Sequence, residues 1–188
     1  DLANALSRLN SLAQANPFHK EHAGQMALRK TMLKDFAEHS GDADESPIRP
    51  QKVLWEVREA LGSEDILLSD VGAHKMWIAR YYQCDEPNTC LISNGFCTMG
   101  FALPGAIGAK YARPDSKVLA ICGDAGFLMN VQDLETAVRL KKNIVVMIWI
   151  DGEYGLIKWK QQNSFDGQHS ELAFTNPDFE LLAKSFGM

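Results

Sequence analysis

The chain has 188 residues, enough for one ordinary domain with a sizeable core and some extra, and its 46% apolar and 23% charged residues match a soluble globular protein. A net charge of −5 with no long Lys or Arg run argues against a nucleic-acid binder, and the longest apolar stretch, Met99 to Ala109, is too short for a membrane span and is broken by Pro104. Nothing resembles a signal peptide, and Cys84, Cys90, Cys97 and Cys122 lack CxxC spacing, so no zinc site or disulfide framework is indicated and a cytoplasmic location is expected.

Residues 1 to about 40 read as two helices, with Leu2, Ala5, Leu6, Leu9 and Ala13 at helical spacing and Met26, Leu33 and Phe36 more loosely so. Gly41 to Pro47 is an acidic, breaker-rich linker. Pro50 then opens a helix that presents Val53, Leu54, Val57, Ala60 and Leu61 on one face and closes at Gly62. From there short apolar runs alternate with helical stretches. Strands are expected at Ile66–Leu68, Thr89–Ile92, Val118–Cys122 and Ile144–Ile150, the last being the strongest. Helices are expected at Ala73–Tyr82, from about Met99 to Ala112, around Leu134–Lys141, at Tyr154–Gln162 and at Asp178–Phe186. This alternation predicts an α/β fold, a doubly wound parallel sheet with helices on both faces. The expected organisation is a helical tail and linker over residues 1–46, then one domain over 47–188. The missing initial Met and the abrupt end at Met188 suggest a piece of a longer polypeptide.

Two acids carry the chemical signal. Asp124 in Cys122-Gly123-Asp124-Ala125-Gly126 and Asp151 in Ile150-Asp151-Gly152-Glu153-Tyr154-Gly155 each follow a β-like run. A strand–helix–strand unit takes about thirty residues, so the two would end side by side at the carboxyl edge of the sheet, where open α/β folds bind ligands. Two oxygen-bearing side chains among glycines suit a hard divalent cation that carries a diphosphate, with the Glu153 carbonyl as a further oxygen. Taken alone, the first segment reads equally well as a tight turn capped by Asp.

These two segments resemble the signature of the thiamine-diphosphate-dependent enzymes, which runs from Gly-Asp-Gly to an Asn about 27 residues later. Here Ala125 replaces the last Gly and Asp151 stands where Asn is usual. Ala keeps the side chain small and Asp keeps a ligating oxygen. The resemblance is greatest to the acetolactate synthases and covers residues 47–188, the diphosphate-binding domain without its last part. It implies that Gly123, Asp124, Ala125 and Gly126 approach thiamine diphosphate, and that Asp124, Asp151 and Glu153 hold Mg²⁺. Val71, Gly72, Ala73 and His74, in Ser69-Asp70-Val71-Gly72-Ala73-His74, would contact the diphosphate; otherwise His74 is an ordinary polar residue at a helix start. In Ser93-Asn94-Gly95-Phe96-Cys97-Thr98-Met99-Gly100, the resemblance gives Cys97 and Met99 the aminopyrimidine, and makes Met99 the catalytic wedge that bends the cofactor. Met99 as plain core is the alternative. Gly100, Gly105 and Gly108 are unusual in a helix and ask for close packing against another element or subunit. Gly155, Leu156 and Ile157 would lie on the cofactor and substrate side, unless Leu156, Ile157 and Trp159 form a buried helix face.

The activity implied is condensation of two pyruvate (2-oxoacid) molecules to 2-acetolactate with loss of CO2. A homodimer or homotetramer would share the active site between subunits. The activating Glu is expected in a domain outside this chain, so residues 1–188 alone should show no turnover. FAD, where such enzymes carry it, binds mostly to a domain not represented here. Rival readings are a pyruvate oxidase or decarboxylase, a non-catalytic domain that kept the fold, and a nucleotide-binding oxidoreductase, for which the GxGxxG loop is absent.

Overall fold

The computed structural model describes residues 1–15, 23–42 and 46–188, and divides into two compact units, Asp1–Glu38 and His39–Met188. The first unit holds α1 (Leu2–Ala15) and α2 (Ala23–Glu38), in the stretches read as helical. Leu2, Leu6, Leu9 and Leu12 of α1 are exposed. Residues 16–22, and residues 43–45 of the acidic linker, lie outside the described residues.

The second unit starts earlier than the linker suggests, at a 3-10 turn over His39–Gly41. The Lys52 ammonium donates to the Ser40 carbonyl at 2.9 Å, and the His39 ring meets Tyr81 edge-on at 5.6 Å between centroids. These contacts make residues 39–42 part of the domain. Pro50 opens α3 (Pro50–Ala60), where its missing N–H costs nothing, and Leu54 and Val57 form the buried face. Then follow β1 (Ile66–Ser69), α4 (Ala73–Tyr81), β2 (Cys90–Ile92), α5 (Ala102–Ala112), β3 (Val118–Gly123), α6 (Asp124–Met129), α7 (Asp133–Arg139), β4 (Val145–Trp149), α8 (Gly155–Ser164) and α9 (Phe179–Phe186). Among the described residues no helix is long and apolar enough to cross a membrane.

The four strands are all parallel, in the order β2-β1-β3-β4. Right-handed crossovers dictate what covers them. The chain moves one way from β1 to β2 and the other way from β2 to β3 and on to β4, so α4 falls on one face while α5 and α7 fall on the other. The residues divide accordingly. Ile66, Leu68, Val118, Ala120 and Cys122 point to a core shared with Leu103, Ala106 and Ile107 of α5 and Leu134 and Ala137 of α7, with Phe179 and Leu182 of α9 packed against it. Leu67 and Ile121, at the alternate positions, are just as buried on the face of α3 and α4. The doubly wound sheet with helices on both faces is thus the observed fold.

Two details depart from the sequence expectation. The helix read from Met99 begins only at Ala102, because Gly100 adopts φ +80° and the chain turns first. The helix around Leu134 is preceded by a separate short helix, α6, opened by Asp124. The strand expected to be strongest, β4, does form, and it is the sheet edge among the described residues, with Val145 61% exposed. An apolar run reports hydrophobicity but not which neighbour will cover it.

Only one of the two glycines in α5 is required by close packing. A Cβ on Gly105 would lie 2.7 Å from Cδ2 of the fully buried Leu68, whereas one on Gly108 meets nothing within 4 Å. Gly105→Ala should therefore lose about 1 kcal/mol, overpacking outweighing the helix gain, while Gly108→Ala gains about 0.5–1 kcal/mol. Denaturant melts of both variants would show shifts of opposite sign; equal shifts would contradict the packing described.

Candidate cofactor site

The switch in winding direction falls between β1 and β3, so the loops leaving their carboxyl ends diverge and open a crevice. A cavity of about 290 Å³ lies there. Its walls include Val71, Gly72, Ala73 and His74 after β1, Met99, Gly123 to Gly126 after β3, and Asp151, Glu153, Gly155, Leu156 and Ile157 after β4. Fourteen of the fifteen residues singled out from the sequence therefore share one cavity. Cys97 is the exception: it is exposed at φ +51°, outside the lining, and its sulfur lies 3.2 Å from the Lys75 ammonium. The 93–98 loop stands away from the sheet, with Phe96 98% exposed. The buried-face reading of α8 does not hold, since no residue of that helix is buried; Leu156 and Ile157 face the cavity instead. Pro50, Trp77, Trp149, Ile150 and Tyr154 also line it; Ile150 and Tyr154 stood in the acidic segment without a role of their own, and Pro50 and Trp149 lay outside every motif.

Asp124 is buried, with 1% exposure, at the first position of α6. A negative charge is favourable there. Its Oδ1 accepts from the Ala125 N–H at 2.8 Å, and its Oδ2 accepts from the Gly152 N–H at 2.9 Å and from the Asn176 amide at 2.6 Å. Gly152 sits at φ +70°, a conformation that suits Gly, and this aims its N–H at the acid. Asp151 stays reachable from solvent and accepts from the Glu153 N–H at 3.2 Å. Partial desolvation pushes its carboxyl above the ordinary value, against that hydrogen bond and with the charges of Asp124 and Glu153 adding to the rise. Gly155 leaves room for it, since a Cβ there would come within 2.9 Å of Asp151 Oδ2. The Glu153 side chain is paired with Lys158 at 2.7 Å, and its carbonyl accepts from the Gly155 N–H at 3.0 Å.

Asp70 is the organising residue that sequence reasoning passed over. It is fully buried, and its carboxylate accepts from the backbone N–H groups of Val71 at 2.6 Å, Gly100 at 2.9 Å and Ala102 at 3.2 Å. The carboxylate thus fixes the turn that carries Met99 and starts α5. Gly126 packs closely on it: a Cβ there would stand 3.1 Å from Asp70 Oδ1. Asn130, at the end of α6, donates to the Gly100 carbonyl at 2.7 Å. His74 is 5% exposed; burial pushes its imidazole below the ordinary value, opposed by the Asp70 charge, a hydrogen bond to the Asp70 backbone and the Asp124 charge.

Two buried polar atoms around these acids, His74 Nε2 and Asn176 Oδ1, have no partner. Among the described residues no group of three or more His, Cys, Asp or Glu side chains is clustered to hold a metal. A cation here would take oxygens from Asp124 and Asp151, with the Glu153 carbonyl as a backbone donor, and complete its shell with oxygens from a ligand or water. Asp124 Oδ1 retains an unused lone pair for that purpose, and a positive ion would offset both the desolvation that raises Asp151 and the neighbouring charges that add to the rise.

Residues 70–188 match the family model described as "Thiamine pyrophosphate enzyme, C-terminal TPP binding domain", so the chain belongs to that family. The chain is similar to acetolactate synthase of Bacillus subtilis (strain 168), 36% identical over 83% of this chain and 28% of the relative. It is also similar to a probable acetolactate synthase large subunit of Methanococcus aeolicus, 38% identical over 90% and 29%, and to acetolactate synthase isozyme 2 large subunit of Escherichia coli (strain K12), 36% identical over 90% and 30%. The chain spans less than a third of the length of each of these relatives.

Two outcomes follow from the buried groups. Asp70→Asn removes the charge that three N–H groups share and turns an amide NH2 toward them, a loss of about 3 kcal/mol that a denaturant melt would register. His74 gives a pH effect: below pH 6.5 the unfolded chain takes up a proton that buried His74 refuses, so stability is lost as the pH is lowered. Between pH 7 and about 5.5 the melting temperature should drop more for wild type than for His74→Gln; parallel curves would contradict the buried, neutral imidazole.

Proposed function

We propose that this chain is the cofactor-carrying part of an acetolactate-synthase-like enzyme that condenses two pyruvate (2-oxoacid) molecules to 2-acetolactate with release of CO2. The observation that carries the reading is the one cavity at the β1/β3 switch whose lining Asp124 and Asp151 share with the Val71–His74 loop and Met99. The similarity to proteins named acetolactate synthase supports the choice of reaction.

In this reading Asp124, Asp151 and the Glu153 carbonyl hold Mg²⁺, and the ion bears the diphosphate of thiamine diphosphate. When bound, the cofactor supplies an electron sink for decarboxylating a 2-oxoacid. The protein's own part is placement. The Asp70 carboxylate and Asn130 amide fix Gly100 from both sides, so that Met99 presents a soft, apolar wall of set position against the cofactor. Neutral His74 leaves Nε2 free to accept a hydrogen bond from a bound ligand without placing a cation beside the Mg²⁺ site. Leu156, Ile157 and Ile150 give the open end of the cavity an apolar side that favours the desolvated reacting groups.

The complete enzyme would be a homodimer or homotetramer in the cytoplasm, with the activating Glu and any FAD held by parts not in this chain. Asp124→Ala is expected to weaken thiamine diphosphate and Mg²⁺ binding at least about a hundredfold in calorimetric titration, more than loss of an outer partner costs. Mass-spectrometric analysis of the full-length enzyme with pyruvate should find 2-acetolactate. Acetaldehyde or acetyl phosphate as sole product would assign it to the decarboxylases or oxidases instead, and wild-type binding by Asp124→Ala would leave only a domain that kept the fold.

A further inference from the structure

The chain beyond α8 returns alongside the acidic turn and is pinned to it throughout. Tyr154 N–H donates to the Leu172 carbonyl at 3.0 Å and Phe174 N–H to the Gly152 carbonyl at 2.9 Å, with Glu153 and Ala173 forming an antiparallel bridge between them. Tyr154 and Phe174 rings meet at 5.2 Å, and Phe179 meets Phe127 of α6 at 5.6 Å. Asp178 caps α9 by accepting from Leu181 N–H at 2.9 Å. Asn176 lies between these anchors and reaches Asp124, 52 residues earlier, at 2.6 Å.

Its amide orientation is informative. An ionised carboxylate only accepts, so Asn176 must turn Nδ2 toward Asp124, and this leaves its own Oδ1 buried without a donor. A side chain free to satisfy itself would not rest there; the bond to Asp124 decides its position. Oδ2 of Asp124, with Gly152 and Asn176 both donating to it, has its lone pairs taken, while Oδ1 has only the Ala125 N–H. Because the amide is neutral, it aims the carboxylate without cancelling the charge a cation needs. A Lys or Arg in its place would compete with that cation.

We infer that Asn176 is a positioning residue for the cation site, locking one oxygen of Asp124 so that the other is presented to the divalent ion. This inference rests on the reading of the cavity given under the proposed function. The test uses the full-length protein, with Mg²⁺ titrated at fixed thiamine diphosphate and followed by the fluorescence of Trp77 and Trp149, which line the cavity. Asn176→Leu keeps the size and removes the donor without adding a charge; Asn176→Ala removes the side chain. Half-saturating Mg²⁺ should rise about 10–100-fold in both, with kcat near wild type once Mg²⁺ is in excess, and with the melting temperature without Mg²⁺ little changed in Asn176→Ala. Wild-type half-saturation in either folded variant overturns the inference, as does failure of both to fold, which would make Asn176 a structural residue alone. Asp124→Ala separates the levels: if wild type itself shows no saturable Mg²⁺ response, the reading of the cavity fails and takes this inference with it. If only Asp124→Ala loses the response, the inference alone fails.

Discussion

The parallel register of β3 against β4, which pairs Gly123 with Trp149, is the constraint on which the site depends. It ends two neighbouring strands at the same level, so Asp124 and Asp151 emerge one and two residues beyond the last pair on adjacent tips. Antiparallel strands would have put the acids at opposite edges of the sheet. The pairing of Ser69 with Ile121 brings the third tip, that of β1, to the same edge, and the reversal of winding there keeps the loops from closing over it. The cavity is therefore a product of topology, and the side chains have only to be set within it.

Setting them falls to buried polar groups that tie the walls together. α6 begins at Asp124 and leads directly into Asn130, so the acidic wall and the Met99 turn are joined by one short helix. Asp70 sits behind that helix, packed on Gly126, and holds Gly100 and Ala102 from the other side. A shift of α6 would move both the acid and the methionine together. Buried hydrogen-bonded networks of this kind rigidify when every member is satisfied. Here the two unsatisfied atoms, His74 Nε2 and Asn176 Oδ1, belong to residues that face the acids rather than to the core.

The layered architecture was legible because buried parallel strands are apolar throughout and a crossover has a characteristic length, so Val118–Cys122 and Ile144–Ile150 read as neighbours from sequence. The acids were legible for the same reason, with glycines marking each turn. Gly126 invited a phosphate explanation from sequence, and it also packs on the Asp70 carboxylate, a contact with a residue 56 positions away that no local pattern encodes. Asn176 was invisible too: it sits in an aperiodic segment before α9, and its partner is 52 residues away. Hydrophobic periodicity reports which way a residue faces, not which distant polar group it will meet.

The most direct measurement is anomalous diffraction from crystals of the full-length protein soaked with Mn²⁺ and thiamine diphosphate. A single strong peak should lie about 2.2 Å from Oδ1 of Asp124 and from an Asp151 oxygen, with Asp124 Oδ2 still bonded to Asn176. A peak elsewhere, or none at a concentration that supports turnover, would contradict the claim that these two strand tips share one cation.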